Sequence, residues 1–217
     1  MMPSYVVRPA GPSDLASVVV LHQQAFPGFF LTSLGPPFLR ELYRGLMVLE
    51  EGILLVAESA GGHVVGFVGG TDDGRMFYRQ LLRRRGWRFA LAAAPAVVRH
   101  PSITRRVVRG RERADASNRD EGASERVARG SLMSLGVAPH TRASGAGRAL
   151  VRAFEQELRT RGCAGYTLTT DAEGNDRVNA FYRGLGLVPV SENVTPEGRR
   201  LVEYAQTWTG PVADSKD

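Results

Sequence analysis

A mixed α/β sheet with helices on both faces is the fold class that this 217-residue chain predicts. Two observations predict it. Short strand patterns alternate with amphipathic helical patterns along most of the chain. One apolar strand pattern, Leu132 to Val137, runs through a polar loop carrying Arg142-x-x-Gly145-x-Gly147 directly into an amphipathic helix. Strand, glycine-bearing loop and helix N-terminus make an anion cradle, because the first helical N–H groups have no intrahelical partner and the helix dipole favours negative charge there. Glycine at 145 and 147 lets a phosphate approach without meeting a Cβ.

The elements follow in order. Tyr5 to Arg8 reads as a first strand, broken by Pro9 to Pro12. Ser13 is a suitable N-cap with Asp14 in the first turn, and Leu15, Val18, Val19 and His22 give a helical face up to Phe26. Pro27-Gly28 stops that helix, and a second helix is expected over Pro37 to Val48. Ile53 to Ala57 and Val64 to Val68, joined by Ala60-Gly61-Gly62, predict an antiparallel hairpin, with Gly66, Gly69 and Gly70 weakening the outer end of its second strand.

From about residue 75 to 126 the pattern changes, and the stretch reads as an insertion in one domain spanning residues 1–217. Met76 to Ala94 is helical in spacing, with Pro95 and Pro101 expected to interrupt it, and Arg111 to Arg129 is polar. The core resumes at Val127 to Val137. A helix from Gly145 turns Leu150, Val151, Phe154 and Leu158 inward and stops at Gly162. Tyr166 to Thr170 alternates like a strand, Asn175 to Gly184 is a short helix, and Leu187 to Val190 and Arg200 to Trp208 close the sheet.

Composition bounds the function. With 43% hydrophobic residues the chain buries a core, and no apolar run reaches the 18 residues of a spanning helix. Met-Met-Pro-Ser-Tyr-Val-Val-Arg lacks a signal-peptide pattern and Cys163 is the only cysteine, so a reducing cytoplasm is the expected compartment. The net charge is +6, and Lys216 is the sole lysine. Twelve arginines stand between Thr71 and Arg113 against Asp72, Asp73 and Glu112. That basic stretch is open to four readings: a solvated helical pair, a site for an anionic acceptor, an anionic membrane surface entered by Trp87, Phe89 and Leu91, or a nucleic-acid contact. Its aromatic and leucine content favours the membrane surface over RNA.

Three segments together resemble the GCN5-related N-acetyltransferase (GNAT) family. The first is Leu135-Gly136-Val137-Ala138-Pro139 leading to Arg142-x-x-Gly145-x-Gly147. The second is the following helix with the strand Tyr166 to Thr170. The third is Asn175-Asp176-Arg177-Val178-Asn179-Ala180-Phe181-Tyr182-Arg183-Gly184-Leu185-Gly186-Leu187, in which Leu187 stands where the family carries phenylalanine. The likeness is specific over Val127 to Val190, weaker over Tyr5 to Gly70, and does not cover the arginine-rich stretch.

The resemblance implies acetyl-coenzyme A as co-substrate, no metal, and transfer of the acetyl group to a primary amine. A small-molecule amine such as an amino sugar is the first expectation for the acceptor. A protein N-terminus or lysine, or a coenzyme A-binding module without catalysis, are the alternatives, and the chain is expected to be a monomer or homodimer. Backbone N–H groups of Arg142, Ala143, Ser144, Gly145, Ala146, Gly147 and Arg148 would hold the pyrophosphate. The edge of Leu135-Gly136-Val137 would pair with the pantetheine arm, with a bulge at Gly136 and the Val137 N–H as donor to the thioester oxygen. Asn175 and Asn179 would lie near the pantetheine, Asn175 having helix N-capping as its alternative role. Tyr182 is the candidate general acid, against an alternative role in core packing.

The general base has no obvious bearer. Leu132-Met133-Ser134-Leu135 holds no carboxylate, Ser131 and Ser134 are weakly basic, and the histidines on offer are His22, His63 and His140. His22 reads as a satisfied packing residue and His140 as solvent-facing. Phe29, Phe30 and Thr32, in the link between the first two helices, are the candidate acceptor-side residues, and the two phenylalanines suit a substrate wall or a core plug equally.

Overall fold

The computed structural model describes residues 5–99, 129–141, 144–195 and 198–208. Among them the strands are β1 (Tyr5–Pro9), β2 (Gly52–Ser59), β3 (Val64–Thr71), β4 (Arg129–Val137), β5 (Gly165–Asp171), β6 (Val188–Val194) and β7 (Arg200–Thr207). The α-helices are α1 (Leu15–Ala25), α2 (Phe30–Ser33), α3 (Pro36–Val48), α4 (Gly74–Arg99), α5 (Ala146–Thr160) and α6 (Asp176–Arg183). The strands form a seven-stranded sheet in the order β1-β2-β3-β4-β5-β7-β6, antiparallel except for the β4–β5 pair. The mixed α/β class expected from the sequence is the class observed.

The sheet separates two apolar layers. On one face α5 and α6 bury Leu150, Val151, Phe154, Leu158 and Tyr182 against β4, β5 and β7. On the other, α1 and α3 bury Leu15, Val18, Leu39 and Leu46 against β2 and β3, and α4 adds Phe77 and Phe89 from its place on α3. The hydrophobic spacing that predicts α5 puts Leu150, Val151, Phe154 and Leu158 at 0% exposure. Gly162, at φ +76°, ends that helix region as expected. Arg161 then ties the end of α5 to the sheet through Asp72 (2.9 Å) and the Glu50 carbonyl (2.6 Å).

Several local expectations are corrected. Ser13 lies within a 3₁₀ turn over Pro12–Asp14, and it is Asp14 that accepts the Gly11 N–H (2.8 Å) and the Arg8 guanidinium (2.7 Å). The Arg8 charge holds the Asp14 carboxyl below its ordinary range. Phe30–Ser33 forms an extra turn of helix before α3. β3 does not fade at its glycines but continues to Thr71. Those glycines are there for contact: a Cβ on Gly70 would sit 2.3 Å from the Ser131 carbonyl oxygen and 2.6 Å from the Phe154 ring. Helix α4 passes Pro95 and runs to Arg99, so the helix outlasts the residue expected to stop it. Residues 100–128, which hold the rest of the expected insertion and the predicted strand start at Val127, lie outside the described residues.

Candidate active site

β4 is the strand that makes the site. Arg129, Gly130 and Ser131 pair with Gly165, Tyr166 and Thr167 of β5, and the pairing stops there. Beyond it the two parallel strands part, while β4 stays paired with β3 as far as Val137. The Ala138 N–H donates to the Val65 carbonyl on β3 (2.8 Å). Because peptide direction alternates along an antiparallel ladder, the N–H and C=O groups of Leu135 and Val137 point the other way, into the gap toward β5. Gly136 points its own peptide groups at β3.

A bulge does interrupt β4, but not at Gly136. Gly69 faces Ser134 and Gly70 faces Leu132, so Met133 is the extra residue. Gly136 is glycine for another reason: a Cβ there would lie 2.5 Å from the Phe67 ring. The bulge re-aims the strand just where it leaves β5.

The gap leads to the N-terminus of α5. Gly145, in the left-handed region at φ +89°, precedes the helix without a side-chain cap. The Ala149 N–H is the first to close a helical bond, to the Gly145 carbonyl (3.0 Å). The Ala146 N–H reaches only the Ser144 hydroxyl (3.4 Å), so the N–H groups of Gly147 and Arg148 have no protein acceptor among the described residues. Gly147 sits beside Val137 and Phe181, since a Cβ there would fall 3.6 and 3.5 Å from those side chains. Strand end, helix start and α6 therefore converge. The Tyr5 hydroxyl donates to the Ser144 carbonyl (3.4 Å) and steadies the loop. Arg142 and Ala143, both expected contributors, lie outside the described residues.

Helix α6 supplies the remaining candidates. Asn175 precedes it, but its side chain does not cap the helix. Its amide nitrogen donates instead to the Thr170 hydroxyl (2.7 Å), which fastens the β5–α6 turn. The Asn179 amide donates to the Asp171 carbonyl (3.1 Å) and accepts the Tyr204 hydroxyl (3.3 Å). That buried amide is committed to joining α6, β5 and β7. Tyr182 is 7% exposed and packs beside Phe181 and Tyr204. Burial pushes its phenol up to about 12, so the hydroxyl keeps its proton at neutral pH. No hydrogen bond holds that hydroxyl among the described residues.

On the other side of the gap, three segments meet. The Arg199 guanidinium lies over the Phe29 ring (4.9 Å) and donates to the Asp171 carboxylate at the end of β5 (2.6 and 3.1 Å). The α1–α2 link, the end of β5 and the β6–β7 hairpin are thus tied together. Phe29 is 39% exposed, whereas Phe30 packs against Leu34 and Thr32 donates its hydroxyl to the Phe26 carbonyl (2.7 Å). Phe29 is therefore exposed beside Arg199, while Phe30 is half-buried against Leu34. Alternation along β7 places Glu203 on the face opposite the buried Val202 and Tyr204, where it accepts the Ser191 hydroxyl (2.9 Å). Sequence reading missed Asp171, Arg199 and Glu203. For Glu203, its place out of phase between two core residues was the available signal.

The histidines resolve clearly. His140 and His63 are exposed. His22 is buried, with Nδ1 2.6 Å from the Tyr43 hydroxyl, but its Nε2 has no partner, so it is only half satisfied. Desolvation pushes it down to about 4. Ser134 is likewise buried, on β4 opposite Gly69. No group of histidine, cysteine and carboxylate side chains suited to a metal occurs among the described residues.

The fold and site define a mixed-sheet protein whose one parallel strand pair splays toward a helix N-terminal anion cradle. The acetyltransferase (GNAT) family model matches residues 107–187, a span that takes in β4, the cradle, α5, β5 and α6. Among solved structures, Ard1 from Thermoplasma volcanium is 16% identical, with a TM-score of 0.59 over 95% of this chain and 99% of that one. The ribosomal-protein-S18-alanine N-acetyltransferase from Escherichia coli is 14% identical, with a TM-score of 0.57 over 99% and 100% of the two chains. An aminoglycoside 6'-N-acetyltransferase complexed with coenzyme A is 16% identical, with a TM-score of 0.58 over 98% and 99%. No curated protein matches. The chain is a GNAT-fold protein carrying that family's sequence signature in its second half.

Proposed function

We propose that the protein is an acetyl-coenzyme A-dependent N-acetyltransferase acting on a primary amine. The observation that carries this reading is the parting of β4 from β5 after Ser131, which leaves the Leu135 and Val137 peptide groups directed along a cleft that runs to the open N–H groups of α5. An extended amide-bearing arm pairs with such an edge as an added strand, and its pyrophosphate fits a cradle of backbone N–H groups. Ser144, Gly145, Ala146, Gly147 and Arg148 hold the phosphates, joined by Arg142 and Ala143. The Val137 N–H meets the thioester oxygen, where a preorganised donor contributes about 3 kcal/mol to the transition state. Asn175 shapes the cleft wall, and Asn179 positions α6.

Tyr182 acts at the leaving sulfur. A phenol pushed up to about 12 is a weaker acid than a thiol of ordinary pKa near 8.5, so the hydroxyl keeps its proton and serves chiefly by donating a hydrogen bond to the departing thiolate. The acceptor approaches from the Phe29 side. A protonated amine is attracted by Asp171 and Glu203, and Glu203, held by a single hydroxyl, receives its proton through water, while Asp171 is engaged by Arg199. The Arg199–Phe29 contact bridges that approach. A bridged approach suits a small amine, an amino sugar among them, better than a threaded peptide. The names of the similar structures span both ribosomal-protein and aminoglycoside acceptors.

Release of coenzyme A thiol is the test, measured over a panel of amino sugars, polyamines and N-terminal peptides. One class of amine is expected to turn over. Tyr182→Phe should slow it about 100-fold with acetyl-coenzyme A binding retained. Gly145→Glu should abolish that binding, because it places a side chain and a negative charge in the cradle. Acetyl-coenzyme A binding without turnover of any amine would leave only the non-catalytic binding module, and full activity of Tyr182→Phe would remove that residue from the chemistry.

A further inference from the structure

Helix α4 uses only part of its circumference for the core. Phe77, Leu81 and Phe89 are buried, Phe89 lying edge-on to Phe38 at 5.0 Å, and Arg85 hydrogen-bonds the Glu41 carboxylate of α3. The opposite arc carries Trp87, 62% exposed, and Leu91, 65% exposed. Arg83, Trp87 and Leu91 follow one another at four-residue spacing, and Arg84 lies a turn before Trp87 on its other side. Arg79, Arg83 and Arg84 line an open groove of about 370 Å³ with Met76 and Gln80. Among the described residues no carboxylate pairs with any of those three arginines. A wedge of two large apolar side chains is therefore set between unneutralised cations on one helix.

We propose that this arc of α4 docks the protein on an anionic phospholipid surface. Arg79, Arg83 and Arg84 meet the lipid phosphates, and Trp87 and Leu91 enter the boundary between headgroups and acyl chains. Two observations favour lipid over nucleic acid. The Arg88 guanidinium already lies over the Trp87 ring at 5.1 Å, which takes up a face that a base would stack on. The apolar surface also continues from Leu91 across an open groove to the half-exposed Val20 of α1, an aliphatic continuation suited to acyl chains. Phe89, which the sequence offered as a third inserted residue, belongs to the core instead. No helix among the described residues is long and apolar enough to cross a membrane, so the contact is interfacial.

The intact chain should co-float with phosphatidylcholine vesicles containing phosphatidylserine, not with phosphatidylcholine alone, and less at high salt. Each arginine charge removed should weaken partitioning about fivefold, so Arg79→Ala, Arg83→Ala and Arg84→Ala combined should weaken it about 100-fold. Tryptophan emission should shift to the blue on binding, and Trp87→Phe should abolish the shift while Trp208 remains. These side chains are exposed, so thermal unfolding of the variants should match that of the parent. Three results would overturn the proposal: no flotation with phosphatidylserine vesicles, equal flotation of parent and triple variant, or binding to a single-stranded oligonucleotide with no vesicle partitioning.

Discussion

Helices α4 and α5 are the two longest among the described residues, and they meet the rest of the protein in opposite ways. α5 lies across the sheet over β2, β3 and β4, and its apolar residues all turn to one broad buried face. α4 lies on α3, a second helix, and touches the core along one narrow row. A sheet demands a wide, continuous apolar stripe from the helix that covers it. A helix demands only a ridge, which leaves most of its partner's circumference for other uses. The difference also separates the two proposed roles, because the open N–H groups at the start of α5 are the proposed donor cradle, whereas α4 faces outward.

The sharpest way to break this contrast is to truncate one buried aromatic on each helix. Phe154 is enclosed by the sheet, next to Tyr166 at 5.7 Å and close beneath Gly70, so little can collapse into the space it leaves. Phe154→Ala should cost about 5 kcal/mol and Phe89→Ala about 3 kcal/mol, because α4 can settle onto α3 and narrow the cavity. Denaturant unfolding of both variants measures the gap. Equal losses would mean that α4 is held as rigidly as α5.

Legibility in the sequence follows the same division. Leu150, Val151, Phe154 and Leu158 announce α5 and its inner face by spacing alone, and Gly145 and Gly147 announce the cradle, because a phosphate-sized approach to backbone leaves a local mark. The bulge at Met133 leaves none. It arises from the register between β3 and β4, and Gly136, the residue that looked suited to it, is small because Phe67 lies over it. Asp171, Arg199 and Phe29 are likewise invisible as a group. They are far apart in the chain and are gathered only when the β6–β7 hairpin folds beside the α1–α2 link. Helix capping, the alternative role for Asn175, is not what its amide does: it turns back to Thr170, a choice made by the β5 end and not by α6.

A second, smaller effect tests the layer that α4 belongs to through its buried histidine. Unfolded histidine takes up a proton near 6.5, whereas His22 resists until about 4. Between those values the unfolded chain binds more protons than the folded one. Its contribution is therefore complete above pH 6.5 and is lost as pH falls toward 4. From pH 7 to pH 5 the loss amounts to about 2 kcal/mol. His22→Gln should lower stability at pH 7, since it disturbs the bond to Tyr43, yet flatten the slope between pH 7 and 5. An unchanged slope in the variant would place the acid sensitivity elsewhere, with the α5 face as the next layer to examine.

The smallest expected effect is the most discriminating for α4. Trp87 projects from the helix at 62% exposure, and its described partner is the Arg88 guanidinium. A large aromatic in that position contributes little to folding, so Trp87→Ala should change stability by no more than about 0.5 kcal/mol. A tryptophan kept at no structural profit, one turn from two unneutralised arginines, is what a docking face requires and what a core helix does not. A loss near that of Phe89→Ala would instead show that Trp87 is packed in solution, and it would turn α4 from an outward-facing helix into a second buried one, removing the contrast with α5.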